Sequence, residues 1–103
     1  MGSSTVIIGE RSVVKLMDEQ SVVGPGVHWK PVARDRTFQL VFTGATCVVD
    51  IEVSNDEINW LPHSQFSLAA PGTDGIASSA TWKYVRANVV SISDGTVTVL
   101  LGT

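Results

Sequence analysis

The sequence predicts an all-β fold, an antiparallel β-sandwich of the jelly-roll type with about eight or nine short strands. Apolar and polar residues alternate with a period of two, most clearly at residues 49–53, as in a half-buried antiparallel strand. Turn-forming Gly, Pro, Asn and Asp separate such segments at nearly regular spacing. No segment has a convincing helical pattern.

The segment before Gly24 is predicted to form three short strands, at residues 5–8, 12–17 and 21–23. A helix over residues 12–20 is the competing interpretation, which the β-branched residues disfavour. Gly24-Pro25-Gly26 then interrupts the chain, because proline lacks a backbone donor and glycine permits positive φ. Residues 1–26 therefore form either an arm that adds a strand to a neighbour's sheet or edge strands of the chain's own sandwich.

The next two strands are predicted at residues 37–43 and 48–53, with Phe38, Leu40 and Phe42 on one face of the first. The link at residues 43–46 predicts a hairpin between them. Further strands are predicted at residues 65–68 after a break at Pro62, and at 75–79, 82–90 and 96–101. Nothing in the composition marks a linker, so residues 1–103 are interpreted as one domain.

The composition favours a binding or structural protein. The 103 residues are 44% hydrophobic and only 17% charged, which suggests that another subunit covers part of the surface. The net charge of -3 and the lack of a basic cluster argue against nucleic-acid binding. No apolar stretch approaches the roughly 20 residues of a membrane helix, so no membrane partner is expected. The absence of a signal peptide indicates cytoplasmic synthesis.

No constellation of residues predicts catalysis. Cys47 is the single cysteine and is expected to be a small buried hydrophobe. His28 and His63 have no partner at metal-ligand spacing, and the aspartates lie in predicted turns. Asp50 and Glu52 lie on the same face of a predicted strand. Exposure of that face to solvent explains the two carboxylates more simply than a paired-carboxylate hydrolase site does. We therefore predict no catalytic residue, no metal site, no cofactor and no enzymatic activity.

The three tryptophans are the remaining candidates. Trp60 and Trp82 each begin a strand beside a turn, which favours a structural role, and Trp60 is expected to be largely buried beside the 54–56 turn. Trp29, in an irregular stretch with His28, is predicted to be exposed or to face another subunit. The competing interpretation is that exposed aromatic rings stack on sugars.

Several motifs together resemble a recurrent type of small virion protein of tailed phages. They are Val-Asp-Ile-Glu-Val-Ser-Asn-Asp at 49–56, Asn-Trp at 59–60, Gly-Thr-Asp-Gly at 72–75, Trp-Lys-Tyr-Val-Arg-Ala-Asn-Val at 82–89 and Gly-Thr-Val-Thr-Val at 95–99. The Ser-Asn-Asp…Trp and Tyr-Val-Arg patterns also resemble discoidin-type and other carbohydrate-binding sandwiches, which are longer.

The phage resemblance implies a capsid decoration (cement) protein located in the virion. Its partners would be the major capsid protein and further copies of itself, with a trimer as the favoured state. The apolar residues of the arm, Val6, Ile7 and Ile8, and the loop residues His28 and Trp29 are then expected to form the partner interface. The alternatives are a carbohydrate-binding module and a tail or baseplate accessory protein.

Overall fold

The computed structural model describes residues 13–32 and 34–103, which form two four-stranded antiparallel sheets. The strands are β1 (Val13–Gln20), β2 (Gly24–Pro25), β3 (Arg36–Phe42), β4 (Thr46–Ser54), β5 (Leu61–Leu68), β6 (Gly72–Ser78), β7 (Tyr84–Ser93) and β8 (Val97–Gly102). The predicted all-β sandwich is confirmed. Among the described residues no helix is long and apolar enough to cross a membrane.

The first sheet has the order β1-β8-β3-β6 and the second sheet the order β2-β7-β4-β5. The period-two pattern sends every second side chain of the central strands between the sheets. Each large apolar side chain buried there contributes about 1.5–3 kcal/mol. The core consists of Leu16, Met17, Phe38, Leu40, Phe42, Cys47, Val49, Ile51, Val53, Phe66, Val85, Ala87, Val89, Val97, Val99 and Leu101.

The predicted hairpin between β3 and β4 is wrong, because the two strands lie in different sheets. The 43–45 link crosses from one sheet to the other and bonds to the β7–β8 turn instead. Thr43 N donates to the Thr96 carbonyl oxygen (3.1 Å) and Ala45 N to the Ser93 carbonyl oxygen (2.9 Å). Alternation of apolar and polar residues shows which side chains point inward. A short link that contains glycine can cross between two sheets as readily as it can form a hairpin.

The N-terminal strands also differ from the prediction. β1 continues past the predicted end at residue 17 to Gln20, whereas residues 22–23 of the third predicted strand form a bend. Gln20 Nε2 closes that bend by donating to the carbonyl oxygens of Val22 (2.9 Å) and Gly24 (2.8 Å). β2 pairs Gly24 with Val89 and includes Pro25, which is tolerated because this is a sheet edge.

The described part of segment 1–26 thus pairs within its own chain, β1 with β8 and β2 with β7. The predicted strand at residues 5–8 lies outside the described residues. The predicted break at Pro62 is wrong as well. β5 begins at Leu61 and runs through Pro62, since it is an edge strand whose register shifts beside Glu52.

At one end of the sandwich, the ends of strands from both sheets lie close together. In the second sheet, β4 ends at Ser54 next to the starts of β5 at Leu61 and β7 at Tyr84. In the first sheet, β3 begins at Arg36, whose Nη1 donates to the Trp82 carbonyl oxygen at 2.7 Å. Burial lowers the pKa of the Arg36 guanidinium. This bond ties the start of β3 to the segment before β7.

The sandwich has two ends, a tryptophan end and a glycine end. The tryptophan end comprises residues 28–32, 55–61 and 79–83, which include all three tryptophans of the sequence. The glycine end comprises the crossing at 43–45, the turn at 94–96 and the adjoining bend at 21–23.

Candidate functional site

The tryptophan end presents large apolar side chains to solvent. Val32 is 100% exposed, Ile58 80%, Leu61 51% and Trp29 43%. Trp29 is held in place by its backbone, which exchanges two hydrogen bonds of 2.9 Å with Val85 of β7. The predicted exposure of Trp29 is therefore confirmed, and its chain segment is anchored to the second sheet.

The 55–60 loop is shaped by side chains that bond to its own backbone. The hydroxyl of buried Ser54 accepts hydrogen bonds from the backbone N–H groups of Asp56 (3.1 Å) and Glu57 (3.0 Å). Oδ1 of Asp56 accepts from the backbone N–H groups of Ile58 (2.9 Å) and Asn59 (2.8 Å). These are the turn bonds that Ser and Asp make. The loop is therefore preorganised before any partner arrives.

Hydrogen bonds to its charged form hold the pKa of Asp56 well below the ordinary value. The Asn59 side chain, which donates to Oδ2 at 2.9 Å, is the largest cause, followed by the backbone N–H groups of Asn59 and Ile58. Asp56 is thus ionised throughout the physiological range. The turn that displays Ile58 depends on this carboxylate.

Glu57 connects this loop to the segment that holds Trp29. Its backbone adopts the left-handed conformation with φ of 67°. Its Oε2 lies 2.6 Å from Nε2 of His28. Because both side chains are about half exposed, the contact is accessible to a partner as well as structural.

An aromatic group surrounds His28 on the outer side of the second sheet. The His28 ring centroid lies 5.9 Å from that of Trp60 and 6.2 Å from that of Tyr84. The Arg86 guanidinium lies 4.3 Å above the Trp60 ring, in cation–π geometry. Trp60 is half-buried, so the predicted burial of its ring is confirmed in part. Its ring packs against Arg86 on the sheet surface and is absent from the buried core cluster.

Glu52 of β4 holds the Arg86 side chain in place. Arg86 Nε donates to Glu52 Oε1 at 2.7 Å, and Asn88 Nδ2 donates to Glu52 Oε2 at 3.1 Å. The side chains of Arg86 and Glu52 are only 24% and 13% exposed. The expectation that Glu52 is simply solvated is therefore wrong. Asp50, its neighbour on the same face, accepts from Gln65 Nε2 at 2.8 Å.

Of the predicted interface residues, the structure places His28 and Trp29 at the tryptophan end, whereas Val6, Ile7 and Ile8 lie outside the described residues. Sequence reasoning missed Glu57, Tyr84 and Arg86. Two signals were available for the arginine: it alternates outward on its predicted strand, and Glu52 alternates outward on another. Only the register of β4 with β7 makes them opposite neighbours.

Three further observations concern the chemistry that the described residues can support. Cys47 is buried as predicted, and burial raises the pKa of its thiol, which a hydrogen bond with the Leu68 backbone opposes. Residues 13–32 and 34–103 bring together no three His, Cys, Asp or Glu side chains that could hold a metal ion. A shallow hollow of about 180 Å³ at the tryptophan end is lined by Asn55, Thr81 and Trp82.

No protein-family model, no curated protein and no solved structure matches this chain. The likeness to small virion proteins of tailed phages therefore rests on the motifs quoted from the sequence.

Proposed function

We propose that this protein is a non-enzymatic structural component of a tailed-phage virion, and that it decorates the capsid by docking its tryptophan end onto the major capsid protein. The observation that supports the proposal most is that the exposed Trp29 lies at the same end as the exposed Val32, Ile58 and Leu61, whereas the exposed Val22 and Val23 at the glycine end have no aromatic ring beside them in the 21–23 bend. An exposed tryptophan among exposed aliphatic side chains is typical of a protein-binding surface.

The surface is rigid as well as apolar, which favours binding. The Asp56 turn, the His28–Glu57 contact and the Trp29–Val85 pairing hold its two main segments in place. A surface that is already ordered loses less conformational entropy on association. Trp, Tyr and Arg are also the residues that most often dominate binding energy, and Trp60, Tyr84 and Arg86 border the exposed set.

The proposed mechanism is thermodynamic linkage. The tryptophan end binds at a junction between neighbouring capsid subunits, so the complete binding site exists only in the assembled shell. Binding then stabilises the shell by RT ln(1 + [L]/Kd) per site, which is about 2.7 kcal/mol when the free protein is at 100 times Kd. No chemical step is required, since the free energy comes from binding alone.

The test is co-sedimentation of the purified protein with particles of the phage that encodes it. We expect it to pellet with assembled capsids, to remain in solution with unassembled capsid protein, and to raise the temperature at which the capsids disrupt. Retention on isolated tails and not on heads would replace decoration with a tail or baseplate role. Binding to neither structure would contradict the proposal.

A carbohydrate-binding module is the second candidate, favoured by the aromatic group of His28, Trp60 and Tyr84 beside polar side chains. Arg86 covers part of the Trp60 ring and leaves less of it for stacking on a sugar. A glycan array separates the two candidates. Specific retention that is lost in Trp60→Ala while the protein stays folded would support the module, and a blank array together with capsid binding would support decoration.

A further inference from the structure

Charge is distributed unequally along the sandwich. Of the lysine and arginine side chains that the structure describes, all but one lie at or beside the tryptophan end: Lys30, Arg34, Arg36, Lys83 and Arg86. Beside the glycine end the charged side chains in the described chain are all acidic: Asp18, Glu19 and Asp94. Lys15, Asp50 and Asp74 lie between the two ends. A gradient of charge therefore runs along the molecule.

Most acidic side chains of the tryptophan end are engaged within the protein. The carboxylates of Glu52, Asp56 and Glu57 each lie against a side-chain nitrogen, at 2.7, 2.9 and 2.6 Å. The fourth, Asp35, is exposed. Three exposed cations of this end form no ion pair among residues 13–32 and 34–103, and they are Lys30, Arg34 and Lys83. The charges left for a partner are therefore mainly positive.

Two of these cations belong to the exposed apolar surface. Lys30 directly follows the exposed Trp29 in the chain. The backbone N–H of Lys83 donates to Asn55 Oδ1 at 3.1 Å, which holds Lys83 beside the loop that displays Ile58. A partner that covers the apolar side chains therefore also comes within reach of both ammonium groups.

From this arrangement, we propose that the tryptophan end binds an acidic protein surface, and that the charge gradient turns this end toward it. The proposal rests on the proposed function, in which that surface belongs to the major capsid protein. A partner without carboxylates would desolvate Lys30 and Lys83 and leave them unpaired, which is costly. Carboxylates on the partner remove that cost, and they repel the glycine end with its Asp94.

The apolar and charged side chains then have different roles. Burial of Trp29 and its aliphatic neighbours supplies most of the affinity. The lysines act before contact, because a charged surface orients an approaching molecule and raises its association rate. A nucleic acid is a poorer fit, since three cations separated by apolar side chains do not follow a continuous row of phosphates.

The first test uses the purified protein alone and measures the charge gradient. At low ionic strength, an NMR titration with poly-L-glutamate should shift the amide signals of residues 28–32 and 79–83. Poly-L-lysine should shift those of residues 18–23 and 94–96. Sodium chloride at about 1 M should abolish both effects, because it shortens the screening length to about 3 Å. Equal shifts at both ends with either polymer would overturn the proposal.

The second test measures association with immobilised phage heads. Lys30→Glu and Lys83→Glu should each lower the association rate about fivefold or more at low salt, and much less at high salt. The matched control is Lys15→Glu, which changes the net charge equally but lies midway along β1, opposite Leu100. It should have a clearly smaller effect. Circular dichroism and a cooperative melt confirm that each variant is folded.

The outcomes separate this proposal from decoration itself. Head binding that depends neither on salt nor on Lys30 and Lys83 would leave decoration standing and overturn the acidic partner. Equal slowing by Lys15→Glu and Lys30→Glu would show that only net charge acts, which also overturns it. Retention on duplex DNA as strong as on heads would make a nucleic acid the partner. A wild-type protein that binds no heads at any salt concentration would contradict both proposals.

Discussion

The two ends of this sandwich are closed in opposite ways. At the glycine end the backbone itself makes the closure: a Cβ added to Gly44 would lie 1.8 Å from the Asp94 carbonyl oxygen, and one added to Gly95 would lie 2.4 Å from Gly44 N. Thr43 and Thr96 complete the contact, with Thr96 N donating to Thr43 Oγ1 at 2.9 Å. Little room therefore remains for a side chain at Gly44 or Gly95.

At the tryptophan end, side chains make the closure. Ser54, Asp56, Glu57 and Arg36 bond across or within the loops, and the residues between them are displayed to solvent. An end built from backbone contacts holds the two sheets together, whereas an end built from side-chain bonds can present a surface that varies without loss of the fold. This difference predicts where substitutions damage stability and where they damage binding.

The largest effect is expected at the glycine end. Gly44→Ala should lower the free energy of unfolding by about 3 kcal/mol or more, because the added methyl group meets backbone that cannot move aside. The control is Gly72→Ala on β6, where the nearest atom to the added Cβ is a leucine methyl carbon at 3.9 Å. Chemical denaturation measures both. Equal stability of the two variants would show that the 43–45 crossing is looser than described.

A smaller loss is expected from Arg86→Ala, by about 2 kcal/mol, because it leaves the poorly exposed Glu52 carboxylate without its cation and the Trp60 ring uncovered. The matched control is Lys15→Ala, whose ion pair with Asp18 is more than half exposed and should contribute less than about 1 kcal/mol. Denaturant titration of both variants checks the ranking. If both cost the same, the Arg86 network does not stabilise the second sheet.

Trp60→Ala should cost about 1–2 kcal/mol, less than the 3–5 kcal/mol typical of a fully buried aromatic residue. The reason is that its ring is half-buried against Arg86 on the sheet surface. Phe66→Ala, in the core with no exposed surface, provides the fully buried comparison under the same conditions. A loss for Trp60 as large as that for Phe66 would place its ring in the core.

The mildest effect concerns pH. Because the pKa of Asp56 is lowered in the folded state, its carboxylate stabilises the protein above the unfolded pKa of about 3.9, and this contribution is lost as pH falls through the folded pKa. Asp56→Ala should therefore be less stable than wild type at pH 7, and the gap should shrink at low pH. Thermal melts across that range measure the gap. A gap that is constant with pH would mean that the turn does not depend on the charge.

Alternation of apolar and polar residues correctly predicted which side chains point inward, but it did not predict which strands pair with each other. Period-two patterns correctly gave β3, β4, β7 and β8 and the inward residues on each, such as Leu40 and Val99. They cannot name a strand's neighbour, so β3 was paired with β4 when it lies between β8 and β6.

The same reason limits prediction of the site. Trp29 could be assigned to the surface because its segment lacks alternation. The stacking of Arg86 on Trp60 depends on the strand order β7-β4-β5, which no local pattern contains. Likewise, the His28–Glu57 contact joins residues 29 positions apart.

The most direct test of the account compares the two ends by one substitution. Val32 is exposed at the tryptophan end and Val22 is exposed at the glycine end. Capsid co-sedimentation should show Val22→Lys binding as wild type does and Val32→Lys binding about tenfold or more weakly. If Val32→Lys binds as wild type does, the tryptophan end is not the attachment surface, and loss of binding in Val22→Lys would place that surface at the glycine end.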